Sequence, residues 1–281
     1  MQRPIIIIGA ARSGTKFLRD TLASGPGTAC VPYDVNYVWR YGSEETPHDR
    51  LDPTNLTDKH KHFIRKTLPK LANAQSSDRV VEKTVSNTLR VPFVSHVLPD
   101  ACFVHLVRNG CNVTESAMRQ WQTPPDWRAL FTKLYGMPLS NVGYAAWFAK
   151  NMASGLATGR QGGKVWGPRY PGIEKDTQAK PLHEVCALQW RHSVEQARAD
   201  LARLPARQVF EIRYEDLIRS TDVLVDLIHA LDLPEQQSIV DTYNKNVKKD
   251  TSIGWQRLSE GQRNTIRRTL APTLEELGYP K

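Results

Sequence analysis

Hydrophobic positions in this chain follow two rhythms. Short unbroken apolar runs, PIIIIGA (4–10), RVVEK (79–83) and CFVHLVRN (102–109), read as strands buried on both faces of a parallel sheet. TACV (28–31) predicts a further strand, and QVFEIRYEDL (208–217) a strand running into a turn. Between them the spacing turns helical. SGTKFLRDTLAS (13–24) sets Phe17, Leu18, Thr21 and Leu22 on one face and is stopped by GPG. Helices are also predicted around TDKHKHFIRKTLPKL (57–71, a surface helix), LRVPFVSHVL (89–98) and GCNVTESAMRQW (110–121). PLHEVCALQWRHSVEQARADLARL (181–204) predicts a long one. The remainder reads as helical, broken by KNVKKDTSIGWQR (245–257). Residues 36–56 read as polar and irregular, and 123–180, rich in Pro, Gly and Trp, as a long substrate-side loop or insertion. Alternation of strand and helix predicts an α/β fold, one domain over 1–281, with a central, mostly parallel sheet flanked by helices.

The first strand ends in GAARSGTK (9–16). A glycine turn between strand and helix aims backbone N–H groups at an anion, and the helix dipole adds to the attraction. Gly9 and Gly14 have the spacing of the nucleotide-triphosphate loop G-x-x-x-x-G-K-[ST]. Thr15 stands where that loop has lysine, and Lys16 comes one place late. The expectation is a P-loop NTPase-like fold whose phosphate loop uses Arg12, Ser13, Gly14 and Thr15. Lys16 either adds a contact or faces solvent.

A second cluster is FVHLVRNGCNVTESAMRQW (103–121). Arg108 ends an apolar strand, and Ser116 follows eight residues later, about two helical turns on. In a parallel sheet the C-terminal strand ends share one edge, so Arg12 and Arg108 are expected to face one ligand. Arginine suits bidentate phosphate contacts. The competing reading of Arg108 is a structural ion pair.

Together the two clusters resemble the PAPS-dependent sulfotransferases. GAARSGTK matches that family's loop G-x-x-[RK]-S-G-T-[ST] through Thr15 and departs at Lys16. LVRNGCNVTES has the family's strand-end Arg and its Ser eight residues on, with Gly110 where proline is common. RYEDL (213–217) and TSIGWQRLSEGQ (251–262) echo later motifs in the right order. The resemblance implies PAPS as co-substrate and PAP as product, with no metal. It implies that the phosphate loop holds the 5′-phosphosulfate and that Arg108 and Ser116 hold the 3′-phosphate. Ser252, Gly254, Trp255 and Arg257 would lie on the loop over the nucleotide. Arg12 would stabilise charge on the bridging oxygen as the sulfuryl group leaves. The family's base is often a carboxylate about twenty residues past the loop cation, which here implies Asp34; Glu82 and His96 are the rivals. Lys83 is implied as a cation near the sulfuryl group, or else as a partner of Glu82 or a surface carboxylate.

The formal net charge of +9 fits an anionic ligand without choosing one. The four cysteines have neither zinc nor disulfide spacing, which favours a reducing compartment. No stretch approaches the roughly 20 apolar residues of a bilayer span, so a cytoplasmic protein is expected. The acceptor is expected to be a hydroxyl or amine, on a small molecule or a glycan. Arg160, Lys164, Arg169, Lys175 and Lys180, with Trp166 and Tyr170, are either a solvated basic loop or an acceptor pocket. Two other readings remain: a magnesium-dependent kinase with an atypical loop and Glu82 as its acid, and a nucleic-acid-binding protein supported by charge alone.

Overall fold

The computed structural model describes residues 1–124, 165–234, 236–248 and 254–279. Five strands, β1 (Ile5–Ile8), β2 (Thr28–Cys30), β3 (Arg79–Glu82), β4 (Cys102–Val107) and β5 (Val209–Arg213), form one sheet in the order β2-β3-β1-β4-β5. Every pairing is parallel; Ile5 sits opposite Val81 on one side and Cys102 on the other. The prediction of a mostly parallel sheet thus becomes, among the described residues, a wholly parallel one.

All four residues of β1 are fully buried because the sheet is covered on both faces. Ile6 and Ile8 point into a core shared with α3 (Asp58–Leu71), α4 (Val91–Val97) and the end of α7 (Leu182–Leu201). Ile5 and Ile7 point into the opposite core, with α1 (Thr15–Leu22), α8 (Tyr214–Arg219), α9 (Thr221–Ala230) and α10 (Gln236–Asn246). A third core joins α5 (Gly110–Gln122), α7 and α11 (Glu260–Glu276) beyond the end of β4. There the glycine at 110, where the resembled motif commonly has proline, has a steric reason. A Cβ at Gly110 would come within 2.8 Å of the Trp190 ring and of Leu270, so the close approach of α5 to α7 and α11 requires glycine.

Two regions differ from expectation. Residues 36–56 hold α2 (Asn36–Trp39) and a 3-10 turn, and Tyr37, Val38, Trp39 and Arg40 are buried. The end of the 123–180 segment folds as α6 (Ile173–Ala179). Tyr170 is buried, stacks on His192 at 4.2 Å and donates to Asp176, and Arg169 is buried with Glu174 as ion-pair partner. These two belong to the core rather than to an acceptor pocket. Arg160 and Lys164 lie outside the described residues.

The sheet order fixes where a ligand can sit. The chain leaves β1 toward β2 in one direction and leaves β4 toward β5 in the other. The crevice outside their C-terminal ends is the topological switch point.

Candidate active site

Both anion motifs converge on that crevice. The loop after β1 takes Arg12 and Gly14 through the left-handed region, with φ of 74° and 93°. A non-glycine residue held at such a φ is a sign of local constraint. Ser13 N–H donates to the Ala10 carbonyl at 3.1 Å, closing the turn, and α1 begins at Thr15. Its first N–H groups have no intrahelical partners. A Cβ at Gly9 would meet the Thr15 methyl at 2.7 Å and the Leu106 carbonyl at 2.8 Å. At Gly14 it would run into the Tyr214 ring, so both glycines are sterically required. Ser13 is 1% exposed, and its hydroxyl has no hydrogen-bond partner among the described residues. A buried hydroxyl left unsatisfied beside a helix N-terminus fits a phosphate or sulfate oxygen.

Arg108, at the end of β4, donates through Nη1 to the Arg12 carbonyl at 3.0 Å, and its guanidinium lies 4.3 Å over the Tyr214 ring. Arg12 in turn donates through Nε to Ser116 Oγ at 3.0 Å. The two motifs are therefore joined by direct hydrogen bonds, and Ser116 reaches the loop because α5 starts right after Arg108. The Asn109 side chain caps that helix by accepting from Cys111 N–H at 2.9 Å, and Glu215 accepts from Asn109 N–H at 2.9 Å. Partial burial, then the positive charges of Arg119 and Arg108, pull the Arg12 pKa below its ordinary value, while Glu115 opposes them. Three guanidiniums thus crowd one corner.

Four contributors here were not assigned from sequence: Tyr214, Glu215, Glu115 and Arg119. RYEDL carried the first two, and spacing gave them no role. Glu115 is 5% exposed and accepts from Arg119 Nε at 2.7 Å. A Cβ at Gly254 would collide with its carboxylate, so the backbone at Gly254 lies directly against α5. Trp255 packs at the edge of the third core with Arg267 5.6 Å from its ring, and Arg257 is exposed. Ser252 lies outside the described residues. Lys16 is exposed on α1.

The neighbouring strand ends carry the other candidates. Asp34 follows β2 and Lys83 follows β3, and their side chains form a salt bridge, Nζ to Oδ2 2.9 Å and to Oδ1 3.1 Å. Lys83 therefore pairs with Asp34 rather than with Glu82. Val85 N–H also donates to Asp34 Oδ1 at 3.1 Å. The Asp34 side chain keeps 37% of its surface, whereas that of Lys83 keeps 9%. Glu82 is fully buried and accepts from the Thr84 hydroxyl and from Asn87 Nδ2. Burial pushes its pKa up to about 7, with hydrogen bonds from Thr84 and Trp39 opposing, the Asp34 charge adding and the Arg90 charge opposing. His96 is exposed on α4, and its Nδ1 lies 2.7 Å from the Pro92 carbonyl. Behind this corner, Asp49 is buried against Arg40 at 3.2 Å and Arg90 at 3.9 Å, and accepts from Ser86 Oγ and Arg169 N–H at 2.8 Å each.

Among the described residues, no group of three His, Cys, Asp or Glu side chains is placed to hold a metal ion, and no helix is long and apolar enough to cross a membrane.

Known proteins are similar to this chain in fold and in family. No curated protein matches by sequence. By structure, the chain is similar to the sulfotransferase domain from the curacin biosynthetic pathway, at 15% identity and TM-score 0.56, covering 100% of this chain and 99% of that one. It is also similar to sulfotransferase STF9 from Mycobacterium avium (12%, TM-score 0.54, 99% and 78%) and STF1 from Mycobacterium tuberculosis H37Rv (14%, 0.52, 97% and 77%). At such identities these likenesses establish the fold. The model of the sulfotransferase family matches residues 4–160, more than half of the chain. The chain therefore belongs to the sulfotransferase family.

Proposed function

We propose that this protein transfers a sulfuryl group from PAPS to a hydroxyl or amine acceptor and releases PAP. The observation that carries the reading is the direct link between the two anion motifs: Arg12 Nε to Ser116 Oγ, and Arg108 Nη1 to the Arg12 carbonyl, both at 3.0 Å. A ligand with phosphate at two positions matches paired motifs better than a triphosphate does.

PAPS, when bound, supplies an activated sulfuryl group on a phosphate leaving group. The α1 N-terminus and Ser13 hold the phosphosulfate end, and Arg108 with Ser116 holds the 3′-phosphate. Arg12 sits between them and neutralises charge developing on the leaving side. Asp34 accepts the acceptor's proton as its oxygen or nitrogen bonds to sulfur. Val85 N–H and Lys83 fix the carboxylate's direction, and Lys83 supplies a positive charge beside the reacting centre. Gly254, Trp255, Arg257 and Ser252 are assigned to the nucleotide-facing loop. The kinase reading loses its acid, because Glu82 is buried behind Thr84 and Asn87.

A thermal-shift comparison tests the assignment. Saturating PAP should raise the melting temperature well above any shift given by ATP with magnesium, since ligand binding to the native state stabilises it. No shift with PAP would overturn the reading, and a magnesium-dependent ATP shift would favour a kinase.

A further inference from the structure

One carboxylate beneath the acceptor corner has no part in the chemistry above. Glu82 is 0% exposed, and each of its oxygens begins a separate line of hydrogen bonds. Oε1 accepts from the Thr84 hydroxyl, and Thr84 Oγ1 accepts from Val35 N–H at 3.0 Å. Oε2 accepts from Asn87 Nδ2 at 3.0 Å; Asn87 Oδ1 accepts from Arg90 Nε at 2.8 Å; Arg90 Nη2 donates to Asn36 Oδ1 at 2.6 Å. Both lines end on the two residues that follow Asp34. A hydroxyl has one proton, so giving it to Glu82 turns the Thr84 lone pairs toward Val35 N–H. The carboxylate thereby orients the peptide that carries Asp34.

We infer that Glu82 is a positioning residue, which fixes Asp34 against Lys83 through Thr84 on one side and through Asn87 and Arg90 on the other. The inference rests on the reading of Asp34 as the base. A buried carboxylate is a costly way to fill space unless its hydrogen bonds do something. The charged groups facing it are Asp34, on the segment after β2, and Arg90, at the start of α4. Burial pushes its pKa up to about 7, so its charge state is measurable near neutral pH.

The test needs no acceptor. With ¹⁵N-valine labelling, the Val35 amide signal is followed from about pH 5.5 to pH 8.5, around the raised pKa of Glu82. A step should appear in the native protein, vanish in Glu82→Gln and in Thr84→Val, and survive in Thr84→Ser. Release of PAP from PAPS, with water as acceptor, should fall about 10- to 100-fold in Glu82→Gln while the Kd for PAP stays unchanged, as a misplaced base predicts. A step that persists in Glu82→Gln, or full turnover in that variant, overturns the proposal. Thr84→Val serves the same purpose should Glu82→Gln fail to fold. Full turnover in Asp34→Asn, with the Val35 step still dependent on Glu82, would instead remove Asp34 as base and leave the coupling standing.

Discussion

The phosphate corner and the acceptor corner lie on one sheet edge, at adjoining strand ends, yet they handle charge in opposite ways. The phosphate corner brings Arg12, Arg108 and Arg119 together, with Glu115 held by Arg119 and Glu215 held by Asn109 N–H. In the acceptor corner each carboxylate of these pairs already faces a cation of the protein: Lys83 against Asp34, and Arg40 and Arg90 against Asp49. An excess of fixed positive charge is how a site prepares for a polyanion. Internal pairing serves a different need, since proton transfer requires a base held at one angle with its own charge compensated. On the proposed reading the first corner takes further counter-charge from its ligand, whereas the carboxylates of the second are already paired within the protein.

Substitutions that confine their effect to one corner would sharpen this contrast. The largest effect belongs to Asp34→Asn, which keeps the shape of the side chain and removes its basicity. Turnover, read as PAP release, should drop about 1000-fold, within the range for loss of a general base. PAP affinity by calorimetry should change less than about twofold, an energy below RT. An equal loss of affinity would mean that the corners are not separate.

Arg108→Ala should do the reverse. Removing a charged donor that also stacks on Tyr214 should weaken PAP binding about 100-fold, given roughly 1.5–3 kcal/mol for a hydrogen bond to a charged group. Arg108→Lys should recover only part of this, because lysine offers neither the fork nor the stacking plane. Calorimetric affinity within a few-fold of native in the alanine variant would break the assignment of the 3′-phosphate.

A smaller effect separates close approach from backbone strain. Gly14 and Gly172 both start helices at left-handed φ, 93° and 95°. A Cβ at Gly14 runs into Tyr214, whereas at Gly172 it meets nothing among the described residues. Gly172→Ala should therefore cost about 1 kcal/mol from strain, and Gly14→Ala about 2–3 kcal/mol with the overlap added. Chemical denaturation reads both. Equal losses would mean that Tyr214 yields easily.

The phosphate corner was legible in the sequence because its information is local. Glycine spacing at 9 and 14, an apolar strand before and a helix after describe a loop within a few residues. The step from Arg108 to Ser116 is two turns of one helix. The acceptor corner is written over longer distances. Asp49 finds its partners at Ser86 and Arg169, and Val35 finds Thr84. In the sequence Arg40 and Asp49 look like surface charges, so the segment 36–56 read as irregular and polar. Only folding shows that the two are 0% and 1% exposed. Tyr214 was hidden for the same reason, since it meets Gly14 and Arg108 across the crevice.

The smallest effect is a pH slope that only the acceptor corner should produce. Guanidiniums do not titrate near neutrality, so the phosphate corner contributes none. Burial raises the Glu82 pKa from 4.5 to about 7. Between those values the native state keeps a proton that the unfolded chain has released. The stability contributed by this group is thus complete below about pH 4.5 and is lost as pH rises through about 7. One proton gives a slope of at most about 1.4 kcal/mol per pH unit. Glu82→Gln cannot titrate, so denaturant midpoints measured from about pH 5 to pH 8 should fall less steeply in that variant than in the native protein, other groups being common to both. Parallel curves would mean that Glu82 holds no proton at neutral pH. Glu82 would then be ionised like its neighbours, and the contrast with the phosphate corner would rest on how Asp34, Lys83 and the Asp49 cluster are paired.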